Sequence, residues 1–347
     1  MLLTRRPVRS ALLGAALLIA ACTSSAGPTA EQKKAEPHAS APTPAPAPAV
    51  SGDAGSQKEV SHNVKPDLAE APTITLVDAG AEPRAELRMK IAPGTSEKMV
   101  MSMDVAMAMD MGVQKIPKMS VPTTRMHMTN AVTEVAANGD ISTSFTIDKI
   151  EVHPSAGSPE AVINAMKEAL KNVEGIKGTS VMSDRGLLKQ SNVIIPDGIA
   201  PQAKQQLEGI NESMGQAVVP LPEEPVGVGA RWDAVSHIRR SDGLAIDQVS
   251  HLELVSRDGD EITIKVELSQ SAPAQEFSAP GMPPGAKASL ESLESSGKGK
   301  SVLDLTRATP VRVESDISMA MKMNVDLGGQ TQGMSMEMDM SMKIHGE

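Results

Sequence analysis

Met99-Val100-Met101-Ser102-Met103-Asp104-Val105-Ala106-Met107-Ala108-Met109-Asp110-Met111 is the stretch whose reading decides the fold. Six methionines and Val105 hold the odd positions, with Ser102, Asp104, Ala106, Ala108 and Asp110 between them. Alternation over that length is the period of a strand and puts the thioethers on one face. The pattern returns near the C-terminal end. Met319, Met321, Met323, Val325 and Leu327 are odd, Met334, Met336, Met338, Met340, Met342 and Ile344 are even, and Gly328 to Gly333 joins the two runs. Opposed residues of an antiparallel pair share a face and have a constant index sum. A sum of 661 opposes Leu327 to Met334, Met323 to Met338 and Met319 to Met342, and gathers the apolar residues on one face.

Working outward, Leu87, Met89 and Ile91 alternate with charged residues before a turn at Pro93-Gly94-Thr95-Ser96. Met126 and Met128 begin a strand that turns at Asn138-Gly139-Asp140 and returns through Ile141, Phe145 and Ile147. Leu252 and Leu254 approach Asp258-Gly259-Asp260, and Ile262, Ile264, Val266 and Leu268 leave it. Asp242-Gly243 makes another turn after Trp232 to Ile238, and Asp184-Arg185-Gly186 centres a hairpin over Val181 to Ile195. Glycine supplies the positive φ that tight hairpins need. The two Gly-Asp hairpins leave two readings open, an internal duplication or coincident turn chemistry.

Two helices interrupt the strands. Near 158–174, Ser158 is an N-cap followed by Pro159 and Glu160, and Val162, Met166, Leu170 and Val173 form an apolar stripe that ends at Gly175. Near 200–214, Ala203, Leu207, Ile210 and Met214 repeat the stripe before Gly215. The expected fold class is α+β, mostly β: a long antiparallel sheet or half-barrel with two interrupting helices, after a disordered tether. Helices amphipathic on one side need a sheet to cover. The expected body spans residues 84–347.

The start of the chain is read separately. Arg5, Arg6 and Arg9 precede an apolar run from Ala11 to Ala21 and then Cys22, the one cysteine. That is the three-part layout of a secretory signal peptide over residues 1–21. Leu18-Ile19-Ala20-Ala21-Cys22 resembles the bacterial lipobox, which implies a Cys22 thiol acylated by palmitate-type chains and a mature chain starting there. The run is about half the ~20 residues that span a bilayer. Residues 22–83 are rich in Ala, Pro, Ser and Gly, with alternating prolines from Pro42 to Pro48, and read as a tether of on the order of 40 Å. Within it, Ile74-Thr75-Leu76-Val77 could form a short strand. Thr23 is not the inner-membrane retention aspartate of enteric bacteria, which favours the outer membrane.

Composition narrows the function. Loss of the three leader arginines takes the net charge from −10 to −13. An acidic chain without a basic block does not fit nucleic acid, where Lys and Arg must neutralise phosphates. With Cys22 acylated, no thiol is left for disulfides or thiolate metal sites. There is no Tyr, one Trp and two Phe, so core volume must come from aliphatic residues and Met.

The candidate site is the methionine face: Met99, Met101, Met103, Met107, Met109, Met126, Met128, Met319, Met321, Met323, Met336, Met338 and Met340. It has three readings. Met fills irregular gaps, so the face can be a filled core under the helices. It can be a soft surface for an acyl chain or other apolar ligand, since Met-rich surfaces repack around varied partners. The architecture resembles the half-barrel carriers of bacterial envelopes. Thioethers also select Cu(I). Against copper, His127 and His345 have the wrong parity for the Met face. Residues on one strand face are also ~6.6–6.8 Å apart, so convergence would need partners from other strands.

Other motifs carry less. Gly297-Lys298-Gly299-Lys300-Ser301 has the end of a phosphate-binding loop, but Glu294 stands where the first glycine belongs and no helix follows. Val226-Gly227-Val228-Gly229 precedes a strand rather than following one. His237 and His251 lie in strand-like segments without a Ser or Asp constellation. Leu221-Pro222-Glu223-Glu224-Pro225-Val226-Gly227-Val228-Gly229-Ala230-Arg231-Trp232 resembles a segment of a family of bacterial lipoproteins of unknown function, whose members also show Met-alternating strands and Gly-Asp hairpins. The resemblance implies export and a repeated β-rich body over roughly 84–345, and no catalytic residues. The expected function is a non-enzymatic envelope lipoprotein, membrane-bound through Cys22, with an apolar ligand or lipid on its Met face. No cofactor is expected. A purely structural scaffold and Met-based Cu(I) binding are the alternatives.

Overall fold

The computed structural model describes residues 71–112, 114–155, 158–171, 173–194, 219–240, 242–278, 287–326 and 331–347. The signal peptide, Cys22, most of the tether and the second helix expected at 200–214 lie outside the described residues.

Most of the described chain is strand. The N-terminal part contributes β1 (Thr73–Asp78), β2 (Ser96–Asp110), β3 (Lys115–Ser120), β4 (Thr123–Val135) and β5 (Ile141–His153). After α1 (Glu160–Leu170) come β6 (Lys177–Met182) and β7 (Leu188–Ile194). The rest supplies β8 (Arg231–Arg239), β9 (Ala245–Asp258), β10 (Glu261–Ala272), β11 (Gln275–Phe277), β12 (Lys287–Asp304), β13 (Arg312–Asp326) and β14 (Thr331–Gly346). All belong to one antiparallel sheet in the order β1-β8-β9-β10-β12-β13-β14-β2-β4-β5-β6-β7, with β11 on β12 and β3 on β2. The path is linear and the sheet is not closed. The join between β14 and β2 makes it continuous, because it pairs the last strand with the start of the body.

The hairpins form where the turn chemistry puts them, with Gly139, Gly186, Gly243 and Gly259 all at positive φ. The β4–β5 and β9–β10 hairpins sit on opposite sides of the β13-β14-β2 block. The chain leaves them differently: α1 comes after β5, whereas β11 and β12 come after β10.

Four expectations are corrected. First, β13 and β14 pair at a sum of 657, with Met319 opposite Met338, Met321 opposite Met336 and Met323 opposite Met334. Parity is unchanged, so the methionines still share a face. The observed register carries the ladder on to Asp326 and Thr331, which pairs more backbone than closure at Leu327 and Met334 would. Second, the body does not begin at residue 84: the short strand expected at Ile74 to Val77 forms, and β1 pairs with β8 through Leu76 and Trp232. The folded body therefore reaches into the segment read as tether. Third, Leu87, Met89 and Ile91 are alternately oriented but lie in no ladder. Leu87 (0 % exposed) and Ile91 (5 %) are buried, while the backbone bonds to separate elements: Ala85 with Val226, Met89 N–H to the Asp184 carbonyl and Lys90 N–H to the Leu305 carbonyl. Fourth, Ser158 does not cap α1; the N-cap residue is Pro159, without a side-chain cap, and the Ser158 hydroxyl donates to the Ser120 carbonyl at 3.3 Å. Ile163 is the buried residue of the helix.

The 85–91 segment is a strap across one end of a curled sheet. The β6–β7 turn meets the approach to β8 directly, with Leu221 N–H on the Arg185 carbonyl and Arg185 Nε on the Leu221 carbonyl, each at 3.0 Å. Glycines in β12 leave room for a close approach of β13. A Cβ on Gly297 would lie 2.9 Å from Ile317, and one on Gly299 would lie 2.8 Å from the Glu314 carbonyl oxygen.

Two cores fill the ends of the inner face. One packs Trp232, Leu87, Leu221, Val226, Leu252, Leu254, Ile262, Ile264 and Leu305. The other packs Phe145, Ile147, Val173, Ile176 and Val193 with Met126 and Met128, and α1 adds Leu170.

Candidate functional site

The register places the methionines in rows that run across strands. From β8 to β2, Trp232, Leu252, Val266, Gly299, Ser315, Met342 and Met103 are successive partners and share one face. Met lacks the β-branched or aromatic side chain of strong strand formers, so these strands are held by cross-strand packing and their ladders.

Three rows matter most. Met319 opposes Met338, Met338 opposes Met107 and Met107 opposes Met119. Beside it run Met321, Met336, Met109 and Ile116. Toward the second core, Ile344, Met101, Met126 and Ile150 form another row, and Met99 opposes Met128. Met323 lies opposite Met334, and Met340 opposite Val105. All thirteen candidate methionines thus fall on the inner face, and Met119 joins them although its short strand gave no periodic signal.

Their burial divides them. Met126, Met128, Met323 and Met336 are buried, at 9 %, 4 %, 8 % and 7 % exposure. Met99, Met101, Met103, Met107, Met109, Met319, Met321, Met338 and Met340 remain partly exposed. The largest residues of the Trp232 core, in contrast, are below 2 %. The described inner face is therefore most completely closed around Trp232 and Phe145, while over the middle strands buried residues such as Met323, Val325, Met336 and Ile344 alternate with partly exposed methionines. Met319 and Met321, like Ile246 and Phe277, pack against a core cluster of Leu244, Ala272, Leu290 and Leu293. Asn130 Nδ2 donates to the Met99 sulfur at 3.9 Å. A concavity of about 270 Å³ is lined by Met99, Met128 and His127, and another of about 400 Å³ lies between Ile150 and Leu170. Neither is lined by methionines of β13 or β14.

The outer face is polar. Asp339 pairs with Lys118 and accepts from Ser318, and Lys265 pairs with Glu267 at 2.7 Å. Such exposed pairs add little stability. His237 and His251 do have aspartates: Asp247 at 2.6 Å and Asp233 at 2.7 Å. This corrects the isolated reading, and the Asp242-Gly243 turn was the available signal, because both pairs are cross-strand partners in that hairpin. Each is an exposed surface pair. Gly297 to Ser301 lies within β12 rather than in a phosphate-binding loop. Among the described residues, no cluster of three His, Cys, Asp or Glu side chains could hold a metal ion.

Glu151 on β5 is the most perturbed outer group. A hydrogen bond from Lys149 at 2.6 Å, then one with His153 at 3.0 Å, lower its carboxyl from 4.5 to about 2. A depressed carboxylate stabilises the fold above its unfolded value and loses that contribution as pH falls through its folded value. Glu151→Gln is therefore expected to lower stability near neutrality and to flatten the acid limb between about pH 4.5 and pH 2, so that the two proteins converge at the acid end. Urea midpoints across that range test it; parallel acid limbs for the two proteins would refute the assignment.

No model of a known protein family matches the chain, and no curated protein matches it in sequence.

Proposed function

We propose that the protein is a non-enzymatic bacterial envelope lipoprotein, tethered to the outer membrane through acylated Cys22, that holds an apolar ligand such as a lipid acyl chain against its Met face. The observation that carries the reading is the contrast in burial along one face: cores closed around Trp232 and Phe145, and partly exposed methionine rows on β13, β14 and β2 between them. Unbranched thioethers repack around chains of varied shape. A scaffold with a filled core competes, and it predicts methionines buried as Trp232 is.

Native mass spectrometry of the protein extracted from its host membrane tests both parts. An acyl adduct on Cys22 and a co-purified lipid are expected. Met101→Glu, Met321→Glu and Met338→Glu, combined, should remove the lipid while far-UV circular dichroism stays unchanged, because all three sites are partly exposed. Wild-type protein that carries no lipid and takes up no fluorescent fatty acid would establish the scaffold instead.

A further inference from the structure

The cross-strand row of Met319, Met338, Met107 and Met119 brings together, from four strands, a set of neutral sulfur ligands that no single strand could assemble. We propose that this row is a Cu(I) site. Neighbouring strands lie ~4.7–4.9 Å apart and directly opposed Cβ atoms ~4.5–5.5 Å apart. A methionine side chain has three rotatable bonds. Met319 and Met107, on either side of Met338, can therefore turn their sulfurs toward that of Met338 and enclose one ion from three directions. Met119 stands next in line as a fourth donor.

Chemistry selects the ion. Thioethers are soft and uncharged, which suits a monovalent soft cation and not Mg²⁺ or Ca²⁺, whose sites are built from carboxylate and carbonyl oxygens. The nearest carboxylates on β14, Glu337 and Asp339, alternate onto the other face, where Asp339 is occupied by Lys118 and Ser318. The four methionines are all partly exposed, so an ion can reach them. The adjacent row differs: its central Met336 is buried and it ends in Ile116. The objection from spacing along a strand disappears once the donors come from different strands. No step of oxidation or reduction is involved; the ion arrives as Cu(I). Copper binding here uses the sulfur atoms of methionines that also belong to the apolar-ligand face, so it is read by an assay of its own.

Leucine separates the two. It keeps an apolar side chain of similar volume and lacks the sulfur. The full chain should compete with bicinchoninate for Cu(I) under ascorbate. Titration with Ag(I), as a redox-inert stand-in, should shift the ε-methyl resonances of Met107, Met319 and Met338 together. The combined Met107→Leu, Met319→Leu and Met338→Leu variant should lose at least ~10–100-fold in Cu(I) affinity, the range seen when even a supporting residue of a metal site is removed. Its far-UV circular dichroism and thermal unfolding should match those of wild type. Met182→Leu, in β6, should leave the Cu(I) affinity unchanged. Wild-type protein that fails to compete, or a triple variant that competes as well as wild type, would overturn the proposal.

Discussion

Trp232→Ala is expected to lower the free energy of unfolding by about 3–5 kcal/mol, the usual range for truncating a buried tryptophan. Trp232 is 0 % exposed and shares its core with Leu87 from the strap, Leu221 and Val226 from the approach to β8, and Leu252, Leu254, Ile262 and Ile264 from β9 and β10. It is the largest side chain in that cluster, and its neighbours come from elements that are rigidly paired, so the space left behind cannot close. The substitution also removes the donor to the Pro220 carbonyl, which Trp232 Nε1 reaches at 2.9 Å. Trp232→Phe separates these contributions. It restores most of the buried area but not the hydrogen bond, and should fall between the alanine variant and wild type. Urea denaturation followed by far-UV circular dichroism measures both, since the only tryptophan is the one replaced. A loss below about 1 kcal/mol for alanine would show that the strap and β8 collapse onto each other, contrary to the packing described.

The strands were legible because their signals are local. Alternation at Met99 to Met111, and glycines at 139, 243 and 259, each depend on a few neighbouring residues, and β2 and the hairpins form there. The register of β13 on β14 was legible only to parity. Sums of 661 and 657 both keep Met319, Met323, Met334 and Met338 on one face, and the choice between them rests on how far the ladder continues toward Asp326 and Thr331. Pairing of β14 with β2 had no local signal at all. It joins Met338 to Met107 across more than two hundred residues, and the methionine rows exist only because of it. The candidate residues could thus be named from sequence, but the groups in which they meet could not. The strap shows the opposite failure. Leu87, Met89 and Ile91 carry the alternation of a strand, and their alternate burial is real. The strap's backbone groups at Ala85, Met89 and Lys90, however, bond to Val226, Asp184 and Leu305 in turn, so no ladder forms. Periodicity reports which side chains face inward, not what the backbone is paired with.

The glycines of Val226-Gly227-Val228-Gly229 show the same dependence on distant backbone in energetic terms. Gly227→Ala is expected to destabilise the protein by at least ~3 kcal/mol, the upper end of the usual cost of overpacking. A Cβ at Gly227 would overlap the Ala81 carbonyl oxygen and lie 3.1 Å from that of Pro83. Both obstacles are main chain, so no rotamer change can relieve them. The two segments are also bonded to each other. Gly227 N–H donates to the Ala79 carbonyl at 2.9 Å, Ala81 N–H to the Val228 carbonyl at 2.9 Å, and Ala85 and Val226 exchange a pair at 3.0 Å. Moving Ala81 away would break those bonds and loosen the strap that carries Leu87 into the Trp232 core. Two positions on, Gly229 has φ near +86° and nothing within 4 Å of its Cβ direction. Alanine there meets only the intrinsic cost of a left-handed residue, ~1–2 kcal/mol. The pair of variants isolates close backbone approach from backbone conformation. Thermal unfolding should rank Gly227→Ala well below Gly229→Ala, and limited proteolysis of Gly227→Ala should open first within residues 79–85. Equal melting temperatures, or a protected 79–85 segment in Gly227→Ala, would show that β1 and the strap are not held against this turn by the contacts that Gly227 permits.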